Sequence, residues 1–354
     1  MADYKRLGDY IIAVDERNSD LSITLSQGIN NNKYFQQPRQ VAENSKNDKI
    51  VRRGYFAYNR ATTRNGDKIS IAYREGEDCT VSAAYQVFYI KDEELLNPHY
   101  LLLWFKRPTF DRYARFKSHG SAHEFFEWDE MCNVMLPVPP IEEQRRIVEQ
   151  YQTVERRIKN NERLIALLED TAQTIFRHRF VENIDPNNLP EGWRMGHIDD
   201  FATIYSGKSL TDKVDTLDME YKYPVAGASG IIGYSKSYNF STRFITTGRV
   251  GTIGVVNKYL TESWAADNVL VFESDFFDFT YQVLKSLNYD EITKGGVQSL
   301  ITQGEIKKCE IIIPAKSDLL QFEQKVSCIS DYIQNINIEN ELAKGLLSLL
   351  LENL

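Results

Sequence analysis

Residues 139–182 decide the architecture. Pro139-Pro140-Ile141-Glu142-Glu143-Gln144-Arg145-Arg146-Ile147-Val148 opens a stretch that runs to Phe180 with no glycine and no further proline. Its apolar positions are Ile147, Tyr151, Val154, Ile158, Ile165, Leu168, Ala172 and Ile175, with Asn161 in their midst. The spacing alternates four and three without a break, which is a heptad seam. A second seam runs Phe322, Val326, Ile329, Ile333, Ile336, Asn340, Ala343, Leu347, Leu350, Leu354, again with one asparagine. Setting Asn161 against Asn340 in an antiparallel pair also sets Ile147 beside Leu354 and Ile175 beside Val326. A seam asparagine lowers stability but fixes register, because a slipped pairing leaves its amide unsatisfied in an apolar layer. The expected structure is an antiparallel two-helix coiled coil with Asn161 and Asn340 facing one another. From Ile147 to Ile175 the seam covers about 42 Å at about 1.5 Å per residue.

Working outward, the chain repeats itself. MCNVMLPVPPIEEQ (131–144) and KCEIIIPAKSDLLQ (308–321) align at a constant offset: Cys132 with Cys309, Pro137 with Pro314, Gln144 with Gln321. Upstream, TVSAAYQVFYI (80–90) resembles SWAADNVLVFE (263–273), and GYFAYNRATTRNG (54–66) stands where RFITTGRVGTIG (243–254) stands in the second copy. Each copy is a β-rich block that leads through a proline into a long helix. Short alternations such as Ile69-Ser70-Ile71-Ala72-Tyr73 and Gly251-Thr252-Ile253-Gly254-Val255-Val256 predict strands, and helices are expected near 95–106 and 276–288. The predicted class is α+β: two similar domains, each a curved mixed or antiparallel sheet with helices, separated by the coil and related by a pseudo-two-fold axis.

Composition narrows the function. The 354 residues suit two domains. There is no long uncharged apolar run and no secretory leader after Met1-Ala2-Asp3-Tyr4-Lys5-Arg6, and the four cysteines form no CxxC pair. A cytoplasmic protein with reduced thiols is expected. The net charge of -8 is unequally spread: residues 1–138 hold 19 Lys+Arg against 19 Asp+Glu, and residues 183–313 hold 12 against 17. Nucleic-acid binding therefore has to rest on patches rather than on the sum. A two-fold object with two separated heads suits DNA, whose helical repeat is about 34–36 Å.

The proline-to-helix junction at Pro139–Val148, the long helix through Ala172 to Phe180, and Leu189-Pro190-Glu191-Gly192-Trp193 opening a domain with Gly207-Lys208-Ser209 and Gly248-Arg249-Val250-Gly251-Thr252-Ile253-Gly254 resemble the specificity subunits of type I restriction–modification enzymes. The resemblance covers essentially the whole chain. It implies a first target recognition domain at 1–138, a central conserved helical spacer at 139–182, a second recognition domain at 183–313 and a C-terminal conserved helical region at 314–354. It further implies that each domain reads half of a split site in double-stranded DNA. By the same resemblance, the helices are expected to dock two methyltransferase subunits carrying S-adenosylmethionine. The resemblance also implies that restriction subunits can join for ATP-dependent, Mg-requiring translocation and cleavage, and that this chain itself binds no cofactor. The junction Pro314-Ala315-Lys316-Ser317 departs from the first one, and the second domain is acidic.

The first domain offers Arg52, Arg53, Tyr58, Asn59, Arg60, Arg64 and Lys68, then Arg112 and Lys117, as DNA contacts. Arginine forks suit phosphates and guanine edges, and asparagine suits adenine. The second domain offers Lys208, Ser209, Lys236, Arg249, Thr252 and Gln298, with Arg249 on a glycine-rich turn that permits close backbone approach. On the outer faces of the helices Glu142, Arg145, Arg156 and Arg163 are candidates for partner-subunit contact.

Catalytic motifs are missing. The glycine that a P-loop ending in Gly207-Lys208-Ser209 requires would fall at Ala202. His119 and His123 lack the glutamate of a zinc protease motif, and no Asn/Asp-Pro-Pro-aromatic motif of adenine methyltransferases occurs. Three readings stay open at this level: a non-catalytic DNA-recognition subunit, a self-contained nuclease or methyltransferase, and a coiled-coil scaffold without DNA specificity.

Overall fold

In each domain the strand just before the long helix closes a ladder opened at the domain's start. Met135–Pro137 pairs antiparallel with Tyr4–Arg6, and Glu310–Ile313 pairs antiparallel with Arg194–His197. Both opening strands run into a single 3-10 turn, Leu7–Asp9 and Ile198–Asp200. The computed structural model describes residues 4–38, 45–62, 68–118, 124–215, 217–293 and 300–354.

The internal repeat is topological. In the first domain a four-stranded antiparallel sheet has the order Ile11–Val14, Tyr85–Ile90, Phe56–Asn59, Ile71–Tyr73. In the second domain the order is Thr203–Ser206, Val269–Glu273, Phe244–Gly248, Val256–Tyr259, also antiparallel throughout. Read along the chain, the matching strands occur in the same sequence, so this is one fold used twice. A helix follows the second strand of that order in both copies, Pro98–Lys106 and Phe277–Ser286. The domains differ in what is added. The first carries two small ribbons, Gly28–Ile29 with Phe35–Gln36 and Lys49–Val51 with Cys79–Val81. The second carries a three-stranded sheet in which Tyr223–Gly227 pairs parallel with Trp264–Ala265. Residues 251–255, expected to begin a strand, form a turn instead, and the strand starts at Val256.

The long helices span Ile141–Phe180 and Lys316–Glu352. Glu142 and Glu143 in the first turn of the former, and Arg177, His178 and Arg179 in its last, oppose the partial charges of the helix ends. Buried Gln144 anchors its start. Its Oε1 accepts from Asn97 N–H at 2.8 Å, and its Nε2 donates to the carbonyls of Leu95 and Pro139. Asn97 in turn caps the helix Pro98–Lys106 through His99 and Tyr100 N–H.

The chain divides into two compact units, Met1–Lys159 with Asn340–Leu354 and Asn160–Glu339. In the first, Ile147, Val148 and Tyr151 share a core with Leu347, Leu350, Leu351 and Leu354, beneath the stacked rings of Phe56 and Phe88. In the second, Ala172, Ile175, Phe176 and Phe180 share a core with Leu319, Phe322, Val326 and Ile329. The beginning of one helix thus packs with the end of the other, the antiparallel sense that the two seams predict. Fully burying each large side chain contributes about 1.5–3 kcal/mol. Asn161 and Asn340 are both buried, at 4% and 5% exposure.

Candidate nucleic-acid interface

The sequence-predicted contacts of the first domain divide by burial. Tyr58 is completely buried, its ring edge-on to Phe88 and Phe126. It was expected at the surface and is a core residue, because the strand Phe56–Asn59 lies inside the sheet and is covered on both faces. Arg52 is held between Glu16 and Asp78, 2.8 Å from the latter, and these hydrogen bonds push its already high pKa further up. Its charge is spent within the domain. Arg53 is exposed, and its backbone N–H donates to Asp78. Asn59 Oδ1 accepts from Ala61 N–H, a turn-forming bond. Arg60 reaches the Ala84 carbonyl and the Glu127 carboxylate. Arg112 is exposed, and Lys117 lies 3.5 Å from Glu130. Lys68 lines an open polar cavity of about 220 Å³ with Lys33, Tyr34, Lys106 and Asp111. Arg64, with His119 and His123, lies outside the described residues.

In the second domain Lys208 and Ser209 are exposed beyond the strand Thr203–Ser206. The Lys208 backbone is fixed by Ala265 and by the Trp264 indole. Lys236 pairs with Glu220 at 2.6 Å above the Tyr221 ring. Thr252 is exposed and Arg249 half-buried on the turn after Phe244–Gly248. Gln298 lies outside the described residues.

The turn is built by its glycines. A Cβ on Gly248 would lie 1.9 Å from the Thr252 carbonyl oxygen, and Gly251 has φ +76°. Around it, Arg249 Nε, Asn257 Nδ2 and Asn268 Oδ1 are buried with no hydrogen-bond partner among the described residues. Asn257 and Asn268 were not anticipated, because a lone asparagine beside a strand carries no periodicity that marks it. Unsatisfied buried polar groups are costly and are found where a ligand or water completes them.

The proposed partner contacts lie on the exposed face of the first long helix. Arg145 bonds Glu94 and Glu142, Arg156 bonds Thr153, and Arg163 is exposed. On the second long helix Leu342, Leu346 and Leu349 are exposed at 72%, 46% and 56% although they adjoin the buried seam. No described helix is long and apolar enough to cross a membrane.

With this geometry in place, comparison with known proteins identifies the family. The profile of the type I restriction modification DNA specificity domain matches residues 16–170 and again 190–347, and the chain belongs to that family. A putative type I specificity subunit of Mycoplasma pneumoniae is 22% identical over 213 residues, 57% of this chain and 55% of that protein. The match therefore spans little more than half of the relative's length. The crystal structure of a type I restriction-modification S subunit from M. genitalium superposes over 99% of this chain and 96% of its own, with TM-score 0.57 and 12% identity, which establishes a shared fold.

Proposed function

We propose that this chain is the non-catalytic recognition subunit of a type I restriction–modification assembly, each domain reading one half of a bipartite DNA target. The observation that carries the reading is the repeat. The four-stranded sheets of the two domains share one strand order, each domain ends in a strand that leads into a long helix, and the family profile matches both. One reading head used twice fits a target of two separated halves.

The long helices are the natural place for methyltransferase subunits. Leu342, Leu346 and Leu349 give the second helix an apolar stripe beside its own seam, and Glu142, Arg145, Arg156 and Arg163 give the first a charged one. S-adenosylmethionine, ATP and Mg belong on the partner subunits in this reading.

The test is to co-express the chain with the methyltransferase subunits of its source and map methylated adenines genome-wide. A split motif that appears only with this chain supports the proposal, provided its halves change one at a time when residues 1–138 or 183–313 are exchanged. Unchanged methylation and no DNA binding even at low salt would favour the scaffold reading, since phosphate contacts make DNA affinity fall steeply with salt.

A further inference from the structure

Arg60 and Arg249 occupy the same position in the two domains. The preceding residues pair with the neighbouring strand, Asn59 with Tyr85 and Gly248 with Val269. The two arginine carbonyls accept from Phe126 N–H at 2.8 Å and Ile301 N–H at 2.9 Å. The following residues form matching isolated bridges, Ala61 with Phe125 and Val250 with Leu300. Three successive backbone positions therefore correspond, although the sequences around them share little beyond the arginine.

Their side chains are treated differently. Arg60 Nε donates to the Ala84 carbonyl at 3.2 Å, and its Nη1 lies 3.3 Å from the Glu127 carboxylate. Ala84 corresponds to Asn268, each standing one residue before the paired Tyr85 and Val269. In the second domain the Asn268 carbonyl is taken by the Arg249 backbone N–H at 2.8 Å. Arg249 Nε is left buried with no acceptor among the described residues. No ion pair reaches Arg249 among the described residues. A half-buried guanidinium without a counter-charge is costly unless something outside the chain supplies acceptor oxygens.

We propose that Arg249 is the second domain's main DNA anchor, and that its counterpart Arg60 is held back by Glu127, so the two half-sites are gripped unequally. The acceptor is a DNA oxygen, either a backbone phosphate or a guanine edge. The turn's glycines and the unsatisfied Asn257 and Asn268 place further polar groups beside it. Glu127, more than half exposed, is neutralised without disturbing the core. The inference rests on the DNA-recognition reading above.

The experiment uses the full chain assembled with its methyltransferase subunits and a duplex carrying the methylated motif, titrated at several salt concentrations. R249A is expected to weaken binding about tenfold or more and R60A by about threefold or less. E127Q, which frees Arg60, is expected to tighten binding by about threefold, the scale of one exposed ion pair. R249K separates the two acceptors. A phosphate anchor keeps most of its affinity with lysine, whereas a guanine anchor loses the bidentate fork and its sequence preference. Equal losses for R60A and R249A, or no loss for R249A, overturn the proposal while leaving DNA recognition standing. A wild-type complex that does not bind DNA overturns both. If R249A fails to fold, R249Q is read in its place with the same thresholds.

Discussion

The Arg179 guanidinium lies 2.8 Å from the Asp318 carboxylate, joining the last turn of the first long helix to the first turn of the second. The other Asp318 oxygen accepts from the Trp193 indole at 3.0 Å, and Gln321 adds a second acceptor for Arg179. Each charge also sits at the helix end that favours it, a cation at a C-terminus and an anion at an N-terminus. One carboxylate thereby ties both helices to the Gly192-Trp193 entry of the second domain.

Asp318→Ala is expected to destabilise the second unit by about 2 kcal/mol, the scale of lost hydrogen bonds to a charged group. The bonds to Arg179 and then Trp193 hold the Asp318 pKa below its ordinary 3.8. A depressed carboxylate contributes stability above its unfolded pKa and loses it as pH falls through the folded value. Thermal melts should show wild type and Asp318→Asn converging in acid, below about pH 4. A constant gap across that range would show that the carboxylate's charge is unimportant.

Glu323 behaves in the opposite sense. Its carboxylate accepts from Asp278 N–H and from Phe279 N–H at 2.8 Å, in the first turn of the helix Phe277–Ser286. Burial raises its pKa from 4.5 to about 7, with the Asp278 charge adding to the rise and the backbone bonds and Arg243 opposing it. The folded state then binds the proton more tightly than the unfolded chain. Stability contributed by this group is full below about pH 4.5 and declines as pH rises towards 7. Glu323→Gln keeps an acceptor and should flatten that slope in urea titrations at successive pH values. An unchanged slope would place the titration elsewhere.

Tyr58→Phe tests whether the buried tyrosine has any part in binding. Its hydroxyl is buried without a hydrogen-bond partner among the described residues, and burial pushes its pKa far up. Removing that oxygen should be neutral or stabilise by about 1 kcal/mol, with DNA affinity unaltered. Tyr58→Ala should cost about 3–5 kcal/mol by opening a cavity. A loss of DNA affinity in a stably folded Tyr58→Phe protein would contradict the core assignment.

The two turn glycines should respond unequally to alanine. At Gly248 the new Cβ collides with the Thr252 backbone, so the turn must move, at about 3 kcal/mol. At Gly251 no described residue lies within 4 Å and only the positive φ opposes it, at about 1 kcal/mol. Comparable melting shifts for the two variants would mean that the turn is not held as described.

The sequence by itself determined the two helices, their antiparallel sense and the duplication of the domain. These follow from periodicity and from fixed points such as Pro137 and Pro314, which act locally and leave a regular trace. The helices near 95–106 and 276–288 were legible for the same reason. Which polar side chains reach the surface was decided only in three dimensions. Arg52, Tyr58 and Arg60 are close neighbours in a basic, aromatic stretch that reads as one binding patch. The fold sends Tyr58 into the core and gives Arg52 two carboxylates, Glu16 and Asp78, from distant parts of the chain. It pairs Arg60 with Glu127, 67 residues away. Long-range pairing of charges has no period and no spacing rule, so Arg249 and Arg60 look alike in sequence and differ only once each neighbourhood is assembled.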